Sequence, residues 1–144
     1  MLVGLSRAVL VTMLLIQIGC GDSGPERKKT VPVTGVVHVD GQPADLLTVT
    51  FHDEKGMDQQ LPTLSSAMTD TTGKFLASTY EKGDGLPEGT YKVTFQWGQL
   101  NIFSKQFEGD KLNQRYDDPA NTQFKVTVAG DQPIDMGKIE LTTQ

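Results

Sequence analysis

Cysteine occurs once in this 144-residue chain, at position 20. That excludes an intramolecular disulfide framework and a thiolate metal cluster, and it leaves no thiol nucleophile after residue 20. The only histidines are His38 and His52, which do not stand at zinc-ligand spacing, and no G-x-S-x-G elbow is present. A basic excess is also missing: 13 Lys and Arg against 18 Asp and Glu give a net charge of −5. Nucleic-acid binding through phosphates calls for the opposite, a basic stripe, so no nucleic-acid partner is expected. No apolar run reaches the roughly 20 residues of a comfortable transmembrane helix. After Gly19 no helical period persists over three turns. Glycine is plentiful instead, with 15 residues beside 7 prolines, and such a composition favours many turns over a helical bundle.

The one sustained apolar run, Ala8–Ile18 (AVLVTMLLIQI), follows Arg7 and has the length of a signal-peptide core. It leads directly into Gly19-Cys20. This resembles the lipobox of bacterial lipoproteins, although Gln17 stands where that pattern prefers Leu. The resemblance implies cleavage before Cys20, lipidation of its thiol, and a cell-envelope protein lipid-anchored to a membrane and facing the periplasm or exterior. Each buried methylene of an acyl chain adds about 0.8 kcal/mol, so several chains on one residue hold firmly. An uncleaved anchor, or an ordinary signal peptide with an incidental cysteine, is the alternative reading of the same run. The chain then divides into a signal peptide (1–19), a flexible polar tether (20–30) and a domain (31–144). Within the tether, Arg27-Lys28-Lys29 is a basic run of the kind that can touch anionic headgroups.

From Val31 onward apolar residues recur every second position, the period of a half-buried strand. Val33, Val37 and Val39 share one face, with Thr34 and His38 on the other. Leu47, Val49 and Phe51 alternate with Thr48, Thr50 and His52. Tyr91, Val93, Phe95 and Trp97 alternate with Lys92, Thr94 and Gln96. Further runs are expected over Ala67–Asp70, Lys74–Thr79, Phe124–Val128 and Ile139–Leu141. Asp53–Ser65 and Tyr80–Gly89 hold the breakers of loops, and helix is expected at most as one turn near Asp110–Arg115. About seven short strands with such joints predict an all-β, immunoglobulin-like β-sandwich.

Three motifs sharpen that expectation. Val33-Thr34-Gly35-Val36-Val37-His38-Val39-Asp40-Gly41-Gln42-Pro43, Thr69-Asp70-Thr71-Thr72-Gly73-Lys74-Phe75 and Leu86-Pro87-Glu88-Gly89-Thr90-Tyr91-Lys92-Val93 follow one another along the chain. They resemble the G-x-V-x-x-D-G-x-P, T-D-x-x-G-x-F and L-P-x-G-x-Y-x-V segments of carboxypeptidase regulatory-like and transthyretin-like domains. The resemblance implies a prealbumin-like sandwich that acts as an accessory, binding or structural unit. Its glycines suit turns with backbone angles closed to most residues, and Asp70 suits a turn that it caps itself.

No catalytic residue is assigned, and no cofactor or metal is implied. The transthyretin-like group includes a hydrolase that needs a His/Arg cluster and a Tyr-Arg-Gly-Ser tail. This chain ends Glu140-Leu141-Thr142-Thr143-Gln144, and Arg115 is the only arginine in its body. Calcium, which takes six to eight oxygens, would need the loop of Asp53, Glu54 and Asp58 to converge with that of Asp117-Asp118. Residues 98–122 form a connection much longer than a usual hairpin loop. This segment either covers a sheet edge or meets an envelope protein or polysaccharide. The candidate contact residues are Trp97, Phe103, Arg115 and Tyr116. Glycan binding predicts Trp97 and Tyr116 as an open aromatic platform, and the hydrolase reading predicts His38 or His52 beside Arg115.

Overall fold

The computed structural model describes residues 25–144; the expected signal peptide and Cys20 lie outside them. Every regular element described is a strand. In chain order they are β1 (Thr30–Val31), β2 (Val33–Val39), β3 (Gln42–Pro43), β4 (Thr48–Asp53), β5 (Ser65–Met68), β6 (Lys74–Leu76), β7 (Leu86–Pro87), β8 (Gly89–Gln96), β9 (Gln99–Asn101), β10 (Gln106–Glu108), β11 (Lys125–Val128) and β12 (Ile134–Leu141). One four-stranded sheet runs β11-β8-β4-β5 and is antiparallel throughout. In the other, β2 has β12 on one side and both β3 and β6 on the other. The two sheets make a β-sandwich. The expected seven strands are approximate, because short pieces such as β3 and β7 raise the number.

The period-two pattern decides which side chains fill the space between the sheets. Val33, Val37 and Val39 of β2 face Val49 and Phe51 of β4 and Tyr91, Val93 and Phe95 of β8, all of them buried. Burying one such side chain contributes about 1.5–3 kcal/mol. Phe75 from one sheet meets Phe51 from the other with ring centroids 6.2 Å apart. Gly35 makes room for that ring, since a Cβ there would lie 2.7 Å from it. Near residues 110–115 the expected helical turn is absent. Asn113 and Gln114 have φ of 54° and 58°, a left-handed conformation that no right-handed helix contains.

The turn motifs fold as their chemistry dictates. Asp40 and Gly41, with φ of 51° and 79°, make a two-residue hairpin between β2 and β3. The Asp70 carboxylate accepts from the Thr72 hydroxyl (2.6 Å), the Thr72 N–H (2.8 Å) and the Lys74 N–H (3.1 Å). Those bonds, the hydroxyl's first, hold its pKa below the ordinary value. Thr69 is buried, donates its hydroxyl to the Ala44 carbonyl (2.5 Å) and accepts from the Leu47 N–H (2.9 Å). It thereby clips the 44–47 loop to the β5–β6 turn.

Tyr91, near the start of β8, has its ring buried and its hydroxyl donating to the Pro87 carbonyl at 2.9 Å. This is the tyrosine-corner device of immunoglobulin-like sandwiches. Burial raises the phenol pKa to about 12, from 10.0. Removing the hydroxyl in Tyr91→Phe leaves a buried carbonyl unpaired and should cost about 1–2 kcal/mol in a urea melt. The phenol favours the folded state fully below pH 10, and that contribution is lost as pH rises towards 12. Wild type should therefore lose stability more steeply than Tyr91→Phe across that window.

Residues 25–30, the described part of the expected tether, lie against the domain. Arg27 meets Glu81 at 2.6 Å, Lys28 meets Asp58 at 2.7 Å and Lys29 meets Asp131 at 2.6 Å. Each cation of the basic run thus faces a carboxylate of the domain. The Lys28 ammonium, helped by the Gln60 and Leu61 N–H groups, holds the Asp58 carboxyl at about 2. β1 then pairs with β7, so the chain enters at the end of the sandwich where β8 begins. The eight residues of β8 carry the backbone about 26 Å towards the other end.

Candidate functional site

At that far end the chain leaves β8 and builds a small hairpin, β9 and β10, that projects from the sandwich. Asp110 fixes its base. One carboxylate oxygen accepts from the Trp97 N–H (2.9 Å) and the Leu112 N–H (3.0 Å), and the other accepts from the Gln114 N–H (3.0 Å). Leu112 is fully buried beneath it, and the Lys111 N–H donates to the Trp97 carbonyl at 2.9 Å. The hairpin is therefore mounted on the core.

Asn101 shapes the tip. Its side-chain oxygen accepts from the Phe103 N–H (2.9 Å) and the Ser104 N–H (3.3 Å), and its carbonyl accepts from the Lys105 N–H (2.7 Å). Glu108 takes hydrogen bonds from the Asn101 amide (3.1 Å) and the Ser104 hydroxyl (2.9 Å), and both hold its carboxyl below the ordinary range. With the Asn101, Ser104 and Glu108 side chains engaged in its own bonds, the turn holds apolar side chains out in water. Phe103 is 94% exposed and Ile102 78% exposed, with Leu100 and Phe107 paired across the strands at about half exposure. Scattered single apolar residues on a surface need no explanation. Four on one small hairpin form an exposed apolar patch, which makes this hairpin the candidate site.

The expected contact residues do not form one cluster. Phe103 stands at the tip. Trp97 lies at the hairpin base, lining a hollow of about 440 Å³ with Leu46, Leu100, Phe107 and Lys111. Its indole N–H donates to the Asp45 carbonyl (2.8 Å), and the Lys111 ammonium sits 4.3 Å from its ring centre. Tyr116 belongs to a separate neighbourhood. Its ring packs on Phe124 (6.3 Å) and its hydroxyl accepts from the Thr142 N–H (3.1 Å). Arg115 is exposed on that same flank, where its charge helps hold the Asp40 carboxyl low after the hydrogen bonds from Thr143 and Thr142. Trp97 and Tyr116 therefore do not make the open platform that glycan binding predicts.

The histidines are also apart. β2 and β4 belong to different sheets, and His38 and His52 point outward from opposite sides of the sandwich. His38 lies 3.8 Å from Glu140. His52 bonds the Thr94 hydroxyl at 2.8 Å, and burial lowers its pKa. The acidic loops are engaged as well: Glu54 pairs with Lys125 at 2.6 Å, Asp58 with Lys28, and Asp118 accepts from the Ala120 N–H at 2.7 Å. Among the described residues no three His, Cys, Asp or Glu side chains gather in a metal-holding group.

Leu100, Ile102 and Phe107, which share the hairpin with Phe103, are not among the contact residues expected from the sequence, and the anchoring role of Asp110 is not expected from it either. The available signal was the pairing of Leu100 with Phe107 around an Asn-x-x-Ser-Lys turn.

No protein-family model matches the chain, and no curated protein matches it. Among solved structures it is similar to a 9R-lipoxygenase from Cyanothece PCC8801, at 12% identity and a TM-score of 0.40 over 83% of this chain and 18% of that one. It is also similar to an (S)-allantoin synthase, at 16% identity and a TM-score of 0.41 over 81% of this chain and 42% of that one. The chain thus spans less than half of either protein, and at these scores neither likeness carries an argument about function.

Proposed function

We propose that this protein is a non-enzymatic, lipid-anchored module of the cell envelope that binds a protein partner through the β9–β10 hairpin. The observation that carries the binding half is the exposure of Ile102 and Phe103 on a rigidly mounted turn. Large apolar anchors that enter a partner's pocket supply most of the energy of such contacts. The anchoring half rests on the Ala8–Ile18 run ending at Cys20. The likeness of the turn motifs to carboxypeptidase regulatory-like domains agrees with an accessory role. Geometry joins the two halves: the chain arrives at one end of the sandwich and the hairpin projects from the other. A membrane-held N-terminus would therefore present the apolar tip away from its own bilayer. A carbohydrate platform is less well supported, because Lys111 covers the Trp97 ring and Tyr116 is packed.

Metabolic labelling with a clickable fatty acid, followed by membrane fractionation, tests the anchor. Wild type should take up label and sediment with membranes, and Cys20→Ser should do neither while melting at the same temperature. A Cys20→Ser protein that still carries the acyl label, or an unlabelled wild type, contradicts the reading.

A further inference from the structure

Between β5 and β6 the backbone ladder is interrupted. At one end Ser66 and Ser78 exchange both hydrogen bonds, 3.0 and 2.9 Å, and at the other the Asp70 N–H donates to the Lys74 carbonyl at 2.9 Å. That register would set Met68 opposite Leu76, yet no rung joins them, because β6 pairs instead with Thr34–Val36 of β2. The interruption opens into a hollow of about 670 Å³. Leu46, Met68 and Leu76 form its apolar surface and are 41%, 46% and 44% exposed. Lys74 and Lys82 stand on its rim, and neither forms a salt bridge among the described residues. Asp70 is the one carboxylate lining it, and its Oδ1 is committed to its own turn. Asp70 stays ionised within Coulomb reach of Lys74, so the lining carries two ammonium groups against one carboxylate, and in a chain of net charge −5 an apolar floor under that positive balance is a local reversal of sign.

We propose that this hollow binds a single-chain anionic amphiphile, a fatty acid carboxylate. The acyl chain would lie on Leu46, Met68 and Leu76, with the carboxylate between Lys74 and Lys82. An extended peptide suits it less well. Strand addition needs an open edge, and the bridges at Ser66–Ser78 and Asp70–Lys74 close both ends within about 13 Å.

Trp97 is the chain's only tryptophan, and its indole donates to the carbonyl beside Leu46. Leu46 lines both this hollow and the one at the hairpin base. Trp97 emission therefore reports occupancy locally, in the full chain, apart from any uptake by the N-terminal apolar run. Titration with dodecanoate below its micellar concentration should give a saturable change. Lys82→Glu, an exposed loop substitution, should weaken affinity about tenfold by reversing a charge at the carboxylate, and Leu76→Asp should abolish the response. Melting temperatures equal to wild type would show that both variants are folded. Dodecyltrimethylammonium, with the same chain and the opposite charge, should give no saturable change. Equal responses to the two amphiphiles, an unaltered dodecanoate affinity in Lys82→Glu, or no saturable response in wild type would overturn the proposal. A response to an acidic apolar peptide but not to dodecanoate would also overturn it.

Discussion

Gly85→Ala is expected to lower stability by more than about 3 kcal/mol, among the larger effects a single methyl can have. Gly85 has a φ of 96°, and a Cβ there would stand 1.9 Å from the Val31 carbonyl oxygen and 2.7 Å from the Pro32 nitrogen. These are backbone atoms, so no rotamer change relieves the contact. The Gly85 N–H donates to the Ala77 carbonyl at 3.0 Å, which prevents the glycine from backing away. The strand pairing of Val31 with Leu86 must therefore break, taking the chain's approach to the sandwich with it. Gly56→Ala is the matched control: its φ is 81°, but its Cβ would meet nothing within 4 Å. It should cost only the left-handed strain, about 1–2 kcal/mol. Urea melts of both variants test this, and equal losses would show that backbone conformation alone, rather than the close approach to Val31, governs the site.

The second large effect concerns binding. Replacing Ile102 and Phe103 together with serine should change folding stability by no more than about 0.5 kcal/mol, the usual range for exposed positions. The hairpin is held by Asn101, Glu108 and Asp110, none of which is touched. Partner affinity should fall at least thirtyfold, the roughly 2 kcal/mol that marks a dominant contact residue. Titrated recovery from solubilised envelope, comparing the two proteins at equal concentration, reads the difference. Undiminished recovery by the serine variant would remove the hairpin from the interface.

The sandwich was legible because burial writes itself into alternation. Val33, Val37 and Val39, or Tyr91, Val93 and Phe95, can only be read as one face of a strand. Alternation says which face is buried but not which strand lies alongside. That is why the parallel pairing of β12 with β2, with its bulge at Gly137, could not be read in advance. The β9–β10 hairpin was hidden for a related reason. Leu100, Ile102, Phe103 and Phe107 face water, so no buried stripe marks the segment as regular structure. Phe103 drew attention by its place in a long aromatic loop, and it is exposed. Residue type could not show that Lys111 would lie over Trp97, or that Tyr116 would pack on Phe124. These depend on chain geometry set by Asp110 and by two consecutive left-handed residues, Asn113 and Gln114; Asn favours that conformation, but Gln does not, so the sequence does not announce the pair.

The most direct test of the account is photo-cross-linking in living cells, with a benzophenone amino acid placed at Phe103 and, separately, at Lys55. An aromatic probe at 103 preserves the anchor, and Lys55 is an exposed loop position well removed from the hairpin. A discrete cross-linked protein species is expected from position 103 in the membrane fraction, absent from position 55 and absent when Ile102 is also serine. No cross-link at 103, or the same products from both positions, would contradict a binding module that works through this hairpin.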